Sequence, residues 1–135
     1  MSSFPSIQRI LAPQIELIPN EECRTLQVLM VKNDLHQVIV QQRFSPNEWH
    51  VVIPVLRAYP GYVAYAELIA ELTHVPRSQV ELRLEEARRL KTMGQELRAV
   101  RDAISHADRK LAAFGFTIAP VHEFGYTLAL LQENP

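Results

Sequence analysis

Residues 97–114 carry the clearest periodicity in the chain. Val100, Ala103, Ile104, Ala107, Leu111 and Phe114 recur at helical spacing, while Arg98, Arg101, Asp102, Ser105, His106, Asp108 and Arg109 fill the opposite arc. A helix of this kind has one apolar stripe to bury, so the remaining chain must supply the surface that covers it. Gly115 ends the pattern. Beyond it, Phe116–Val121 and Tyr126–Leu130 are β-prone and flank His122–Gly125, which predicts a C-terminal hairpin.

The chain ahead of that helix changes period. Residues 1–13 hold two prolines and show no period; a flexible arm is expected, with at most a helical turn at Ile7–Leu11. Ile15–Ile18, Leu26–Val31 and His36–Phe44 are short β-prone stretches divided by polar turns at Asn20–Glu22 and Lys32–Asp34, which predicts a small antiparallel sheet. Ser45-Pro46-Asn47-Glu48 is a capping box with proline at the first helical position. Trp49, Val52, Ile53 and Leu56 continue it as one apolar stripe, which Pro54 is expected to bend or shorten and Pro60-Gly61 to end. Ala66–Leu72 reads as a second helix. Ser78-Gln79-Val80-Glu81 reads as a second capping box, opening a helix over 79–93 with Val80, Leu84, Ala87 and Leu90 inward. Its end has two readings: a break near Gly94, or a continuous helix, since Leu90, Met93, Leu97, Val100 and Ile104 keep near-heptad spacing.

Size and charge bound the function. A length of 135 residues with 47% hydrophobic content fits one domain with one core. No run of 18 apolar residues is present, so no membrane span is expected, and the opening residues lack a secretory pattern. Cys23 is the sole cysteine, which excludes an internal disulfide and fits a reducing cytoplasm. The net charge is −1, but residues 74–114 carry nine basic and six acidic groups, a local +3. A nucleic acid would meet that segment first. His36, His50, His74, His106 and His122 are scattered, no H-E-x-x-H or phosphate-binding glycine loop occurs, and one cysteine makes no zinc ribbon. No catalysis, metal or cofactor is expected.

Three groups of residues carry a resemblance. The first is Phe44-Ser45-Pro46-Asn47-Glu48-Trp49, then Leu56, Pro60-Gly61-Tyr62-Val63 and Glu67-Leu68-Ile69. The second is the run from Val100 to Leu111, and the third is Phe124-Gly125-Tyr126-Thr127-Leu128. In this order they resemble the OmpR/PhoB-type winged-helix DNA-binding domain of response regulators, over about residues 15–130. The resemblance implies an α+β fold, a winged helix-turn-helix with a leading antiparallel sheet and a C-terminal hairpin wing, as one domain over 14–132. It implies a sequence-specific transcriptional regulator that places the helix near 97–113 in the major groove of double-stranded DNA and the wing near 116–130 beside it. Arg98, Arg101, Ser105, His106, Arg109, Lys110 and His122 would then make the contacts.

The chain departs from that pattern in three respects. Residues 73–94 read as an insertion before the recognition helix. His106 and Asp108 stand where arginine is common in the family, and His122 stands where a wing arginine is frequent. No receiver domain is expected, and control by a partner, oligomerisation or abundance is expected instead. A homodimer on repeated half-sites is expected, in a bacterial or phage setting, cytoplasmic and on the nucleoid when bound. The alternative is a winged-helix protein-interaction module in a transcription or mobile-element complex, meeting RNA polymerase or another regulatory protein through Tyr59, Tyr62 and Tyr65 or through the inserted helix. Phe44, Trp49, Phe114, Phe116 and Phe124 are expected in or beside the core. Arg83, Arg88 and Arg89 are expected either as a phosphate-binding flank or on a solvated helix face held by pairs such as Glu85–Arg89.

Overall fold

Polar turns divide the first third of the chain into three strands. The computed structural model, which describes residues 3–131, pairs these strands in chain order. The outermost ends of the expected arm and domain, residues 1–2 and 132, lie outside the described residues. β1 (Ile15–Asn20), β2 (Thr25–Lys32) and β3 (Leu35–Arg43) form an antiparallel sheet in the order β1-β2-β3. Asn33 and Asp34 both take positive φ, the geometry that lets a two-residue loop follow the twist of its strands. The β2–β3 register shifts between Val28 and Leu29, leaving Ile39 without an opposite residue. The sheet meets the body at one end: Leu17, Thr25 and Leu26 are buried, while Leu35, Val38 and Ile39 on the outer strand are exposed.

The opening segment differs from the expected arm. α1 (Pro5–Gln8) is a single helical turn that sets Phe4 and Ile7 into the core. The Gln8 side-chain amide donates to the Ile15 carbonyl at 2.6 Å and ties the turn to β1. Two buried side chains are too few to make a period, so the segment reads as loop.

α2 (Pro46–Ala58) begins as its capping box predicts. The Glu48 N–H donates to the Ser45 hydroxyl at 3.2 Å, and the Ser45 N–H donates to the Glu48 carboxylate at 2.6 Å. The helix runs four residues beyond Pro54. Val51, Val52, Ile53, Val55 and Leu56 are buried around the proline, and that burial outweighs the one backbone hydrogen bond it removes. β4 (Tyr62–Ala64) follows, unforeseen in the sequence, and then α3 (Tyr65–Thr73).

α4 (Arg77–Leu90) starts before the expected cap. Pro76 occupies the N-cap position and no side chain caps the helix, so Ser78 lies inside the first turn. Glu81 accepts from Arg77 at 3.0 Å. The helix ends at Lys91, not near Gly94, so the near-heptad run from Leu90 to Ile104 is broken and the continuous reading fails. Lys91 is left-handed (φ 58°), with its N–H on the Arg88 carbonyl and the Thr92 N–H on the Ala87 carbonyl, a Schellman closure built without glycine. Gly94 lies instead inside the short α5 (Met93–Glu96).

α6 (Arg98–Leu111) runs into a 3-10 turn (Ala112–Phe114), and Gly115 at φ 80° releases the chain into β5 (Phe116–Val121) and β6 (Gly125–Leu130). These form the expected hairpin. β4 pairs with β6 on its other side, giving a second sheet in the order β4-β6-β5. The chain is α+β: an antiparallel sheet, then helices, then a C-terminal hairpin. α2 packs on α3 and α6, α3 packs on α4 and α6, and α6 packs on β5. No helix among the described residues is long and apolar enough to cross a membrane.

The two serines give a direct test of these helix starts. Ser45→Ala is expected to cost about 1 kcal/mol of unfolding free energy, and Ser78→Ala is expected to stay within about 0.5 kcal/mol of the parent. Urea titrations of both variants measure this. A larger loss at Ser78 than at Ser45 contradicts the start of α4.

Candidate nucleic-acid interface

Helical periodicity divides α6 cleanly. Val100, Ala103, Ile104, Ala107 and Leu111 are buried, and Arg98, Arg101, Asp102, Ser105, His106 and Arg109 are exposed. Arg98, Asp102, Ser105 and Arg109 recur at spacings of four, three and four residues, which places them on one line along the helix. Arg101 and His106 flank that line. The arc thus carries three guanidiniums and one carboxylate on a chain whose net charge is −1. Among the described residues, none of the three arginines pairs with a carboxylate. Two other acids beside α6, Asp108 and Glu48, are engaged elsewhere.

The first is Asp108. Its carboxylate accepts from the Ile118 N–H at 2.7 Å and from the Thr117 hydroxyl at 2.9 Å. It fixes the start of β5 against α6 and faces away from the exposed arc. Asp108, which the periodicity sets on the exposed arc, is therefore withdrawn from it.

The second is Glu48, which draws Lys110 out of the predicted contact set. The Lys110 ammonium lies 2.7 Å from the Glu48 carboxylate and 2.9 Å from the Arg43 carbonyl, 5.6 Å from the Phe44 ring centre. It binds α6 to the start of α2 and is not available with the arginines. Burial pushes the Glu48 pKa up. The Lys110 ammonium and the Ser45 N–H and hydroxyl outweigh burial and hold it below the ordinary carboxylate value.

His122 stands at the hairpin turn, its side chain 95% exposed and 3.6 Å from the Glu123 carboxylate. It shares a cleft with Arg101 of α6 and Arg88 of α4. Burial and Tyr65 raise the pKa of the Tyr126 phenol against the pull of Arg101. The α4 arginines separate. Arg83 faces Glu96 at 3.9 Å and Arg89 faces Glu86, not Glu85, at 4.0 Å. Arg88 turns to the hairpin, 3.5 Å from the Glu123 carbonyl.

The three tyrosines do not form one patch. Tyr59 and Tyr65 are half-buried against the core, with Tyr65 edge-on to Tyr126 at 5.8 Å. Tyr62 is exposed and lies 6.3 Å from Phe124. Phe124, expected in or beside the core, is 60% exposed. It occupies the turn, where its carbonyl accepts the Tyr65 N–H, and the turn directs its ring outward. The exposed aromatic pair is thus Tyr62 with Phe124, which no spacing in the sequence announces.

No family model, curated protein or solved structure matches this chain.

Proposed function

We propose that this chain is a winged helix-turn-helix DNA-binding domain acting in transcription regulation, with α6 entering the major groove and the β5–β6 turn serving as the wing. The supporting observation is the exposed arc of α6: Arg98, Arg101 and Arg109 stand free of carboxylate partners among the described residues, while Asp108 is spent on β5. The major groove admits a helix and offers guanine acceptors to arginine. Ser105 and His106 on the same arc supply further donors, and Asp102 suits a cytosine amine. His122 at the turn tip reaches a flanking phosphate or the minor groove. Lys110 has no part in this reading. A pair of such domains on repeated half-sites extends the few bases that one helix reads.

Selection of duplexes from a random library, followed by titration at several salt concentrations, tests the proposal. Arg98→Ala and Arg109→Ala change the central line without touching the core. A base-reading arginine loses about 1–3 kcal/mol of discrimination between selected and scrambled duplexes. A phosphate-binding arginine weakens both alike and lowers the salt slope by about one. Failure of folded protein to enrich any duplex overturns the proposal. One observation favours a second reading, a protein-interaction module: the exposed Tyr62–Phe124 pair, since aromatic residues anchor protein interfaces. That reading then takes precedence.

A further inference from the structure

Residues of α3, α4, α5, the start of α6 and the hairpin turn line an open cleft of about 500 Å³. This lies within the range of about 300–1,000 Å³ typical of small-molecule sites. Its cationic side is built from two helices: Arg88 comes from α4 and Arg101 from α6. Neither guanidinium meets a carboxylate among the described residues. Arg88 has only the Glu123 backbone carbonyl, at the 3.5 Å limit of a hydrogen bond, and the group that Arg101 influences is the Tyr126 phenol, not an acid. The one carboxylate at the rim, Glu123, is turned to His122. Met93, Leu97 and Phe124 add apolar lining.

A guanidinium offers a planar fork of donors that matches carboxylate and phosphate oxygens. Two such forks lining one cleft without a carboxylate partner, beside an apolar lining, specify an oxyanion attached to an apolar body. We infer that this cleft binds a small organic anion, an aryl phosphate or aryl carboxylate, with its oxygens between Arg88 and Arg101 and its ring against Met93, Leu97 and Phe124. The inference stands on the cleft and does not require the DNA-binding reading. A phosphate group could also be presented by a DNA backbone, so the test separates the two sources.

Phenyl phosphate, inorganic phosphate and a mixed-sequence duplex are each titrated into the full chain and followed by amide chemical shifts. Phenyl phosphate is expected to saturate, shifting Arg88, Leu97, Arg101 and Phe124 together, and to bind at least about tenfold more tightly than inorganic phosphate. Arg88→Met, at an exposed position outside the core, is expected to weaken it at least about tenfold. Arg89→Met, on α4 next to Arg88 but outside the cleft, leaves its affinity unchanged. Arg101→Met repeats the loss and is judged only after its unfolding midpoint matches the parent. The inference is overturned by an absence of saturable shifts, by equal affinity for phenyl phosphate and inorganic phosphate, or by undiminished binding in Arg88→Met. Shifts at these residues with the duplex alone also overturn it and assign the two arginines to a nucleic-acid surface.

Discussion

Gly125→Ala is expected to destabilise the fold by about 3 kcal/mol or more. A Cβ at this position would overlap the Val63 carbonyl oxygen, lie 2.8 Å from the Val63 carbonyl carbon and lie 3.0 Å from the Ala64 Cα. All three are backbone atoms of β4, so no side chain can rotate away to make room. β6 is the central strand of its sheet, with Gly125 opposite Ala64 on one side and Val121 on the other. Relief therefore requires β4 to leave β6, which costs the ladder that holds the start of α3 to the hairpin. Gly115 provides the contrast. Its φ of 80° is left-handed, but nothing lies within 4 Å of an added Cβ, so Gly115→Ala meets only the backbone penalty of about 1–2 kcal/mol. Gly94→Ala meets only the flexible tip of Arg101, at 3.9 Å, and is expected to be mild. Urea unfolding of the three variants, with amide exchange of Tyr126 and Thr127, measures the order. If Gly125→Ala costs no more than Gly115→Ala, the β4–β6 pairing is wrong.

That pairing also marks where the sequence stops being informative. The leading sheet is legible because Asn33-Asp34 and Asn20–Glu22 are turn residues between β-branched stretches, so each boundary has a local cause. The exposed arc of α6 is legible because a period of 3.6 assigns faces before any tertiary contact forms. β4 has no such cause: it is three residues long and exists because β6, some sixty residues later, offers it an edge. Lys110 illustrates the same limit within the candidate site. On the helix it flanks the arc, and only its partner Glu48, 62 residues earlier in the chain, removes it. Asp108 is likewise decided by Thr117 and Ile118, and Arg88 by a turn on another element. The start and end of α4 mislead for a different reason. Ser78 and Gly94 are the residue types that usually do those jobs, but Pro76 and Lys91 adopt the required backbone angles first.

Glu48→Ala is expected to cost about 2–4 kcal/mol and to change how stability responds to acid. The Glu48 side chain is 9% exposed, and one carboxylate oxygen accepts from both the Ser45 N–H and the Lys110 ammonium. Lys110 in turn donates to the Arg43 carbonyl at the end of β3, so one charge joins the first sheet, the start of α2 and the far end of α6. Removing one partner of a buried pair costs about 3–5 kcal/mol. The range expected here is lower because Lys110 is 36% exposed and water can recover part of its solvation. Glu48→Gln keeps the shape and an acceptor while losing the charge, and about 1–2 kcal/mol is expected. The pKa of Glu48 lies below its ordinary value of 4.5 in the folded state. Its contribution is therefore complete above the unfolded value and disappears as pH falls through the folded one. The parent should lose stability on acidification below about pH 4.5 more steeply than either variant, because neither retains the carboxylate. Glu48→Leu combined with Lys110→Met replaces the pair by apolar side chains and should recover part of the loss of Glu48→Leu alone, since it leaves no orphaned ammonium. Parallel acid limbs in the parent and Glu48→Gln, or strictly additive losses in the double variant, contradict the assignment of this carboxylate as the joint between the sheet and the proposed DNA-reading helix.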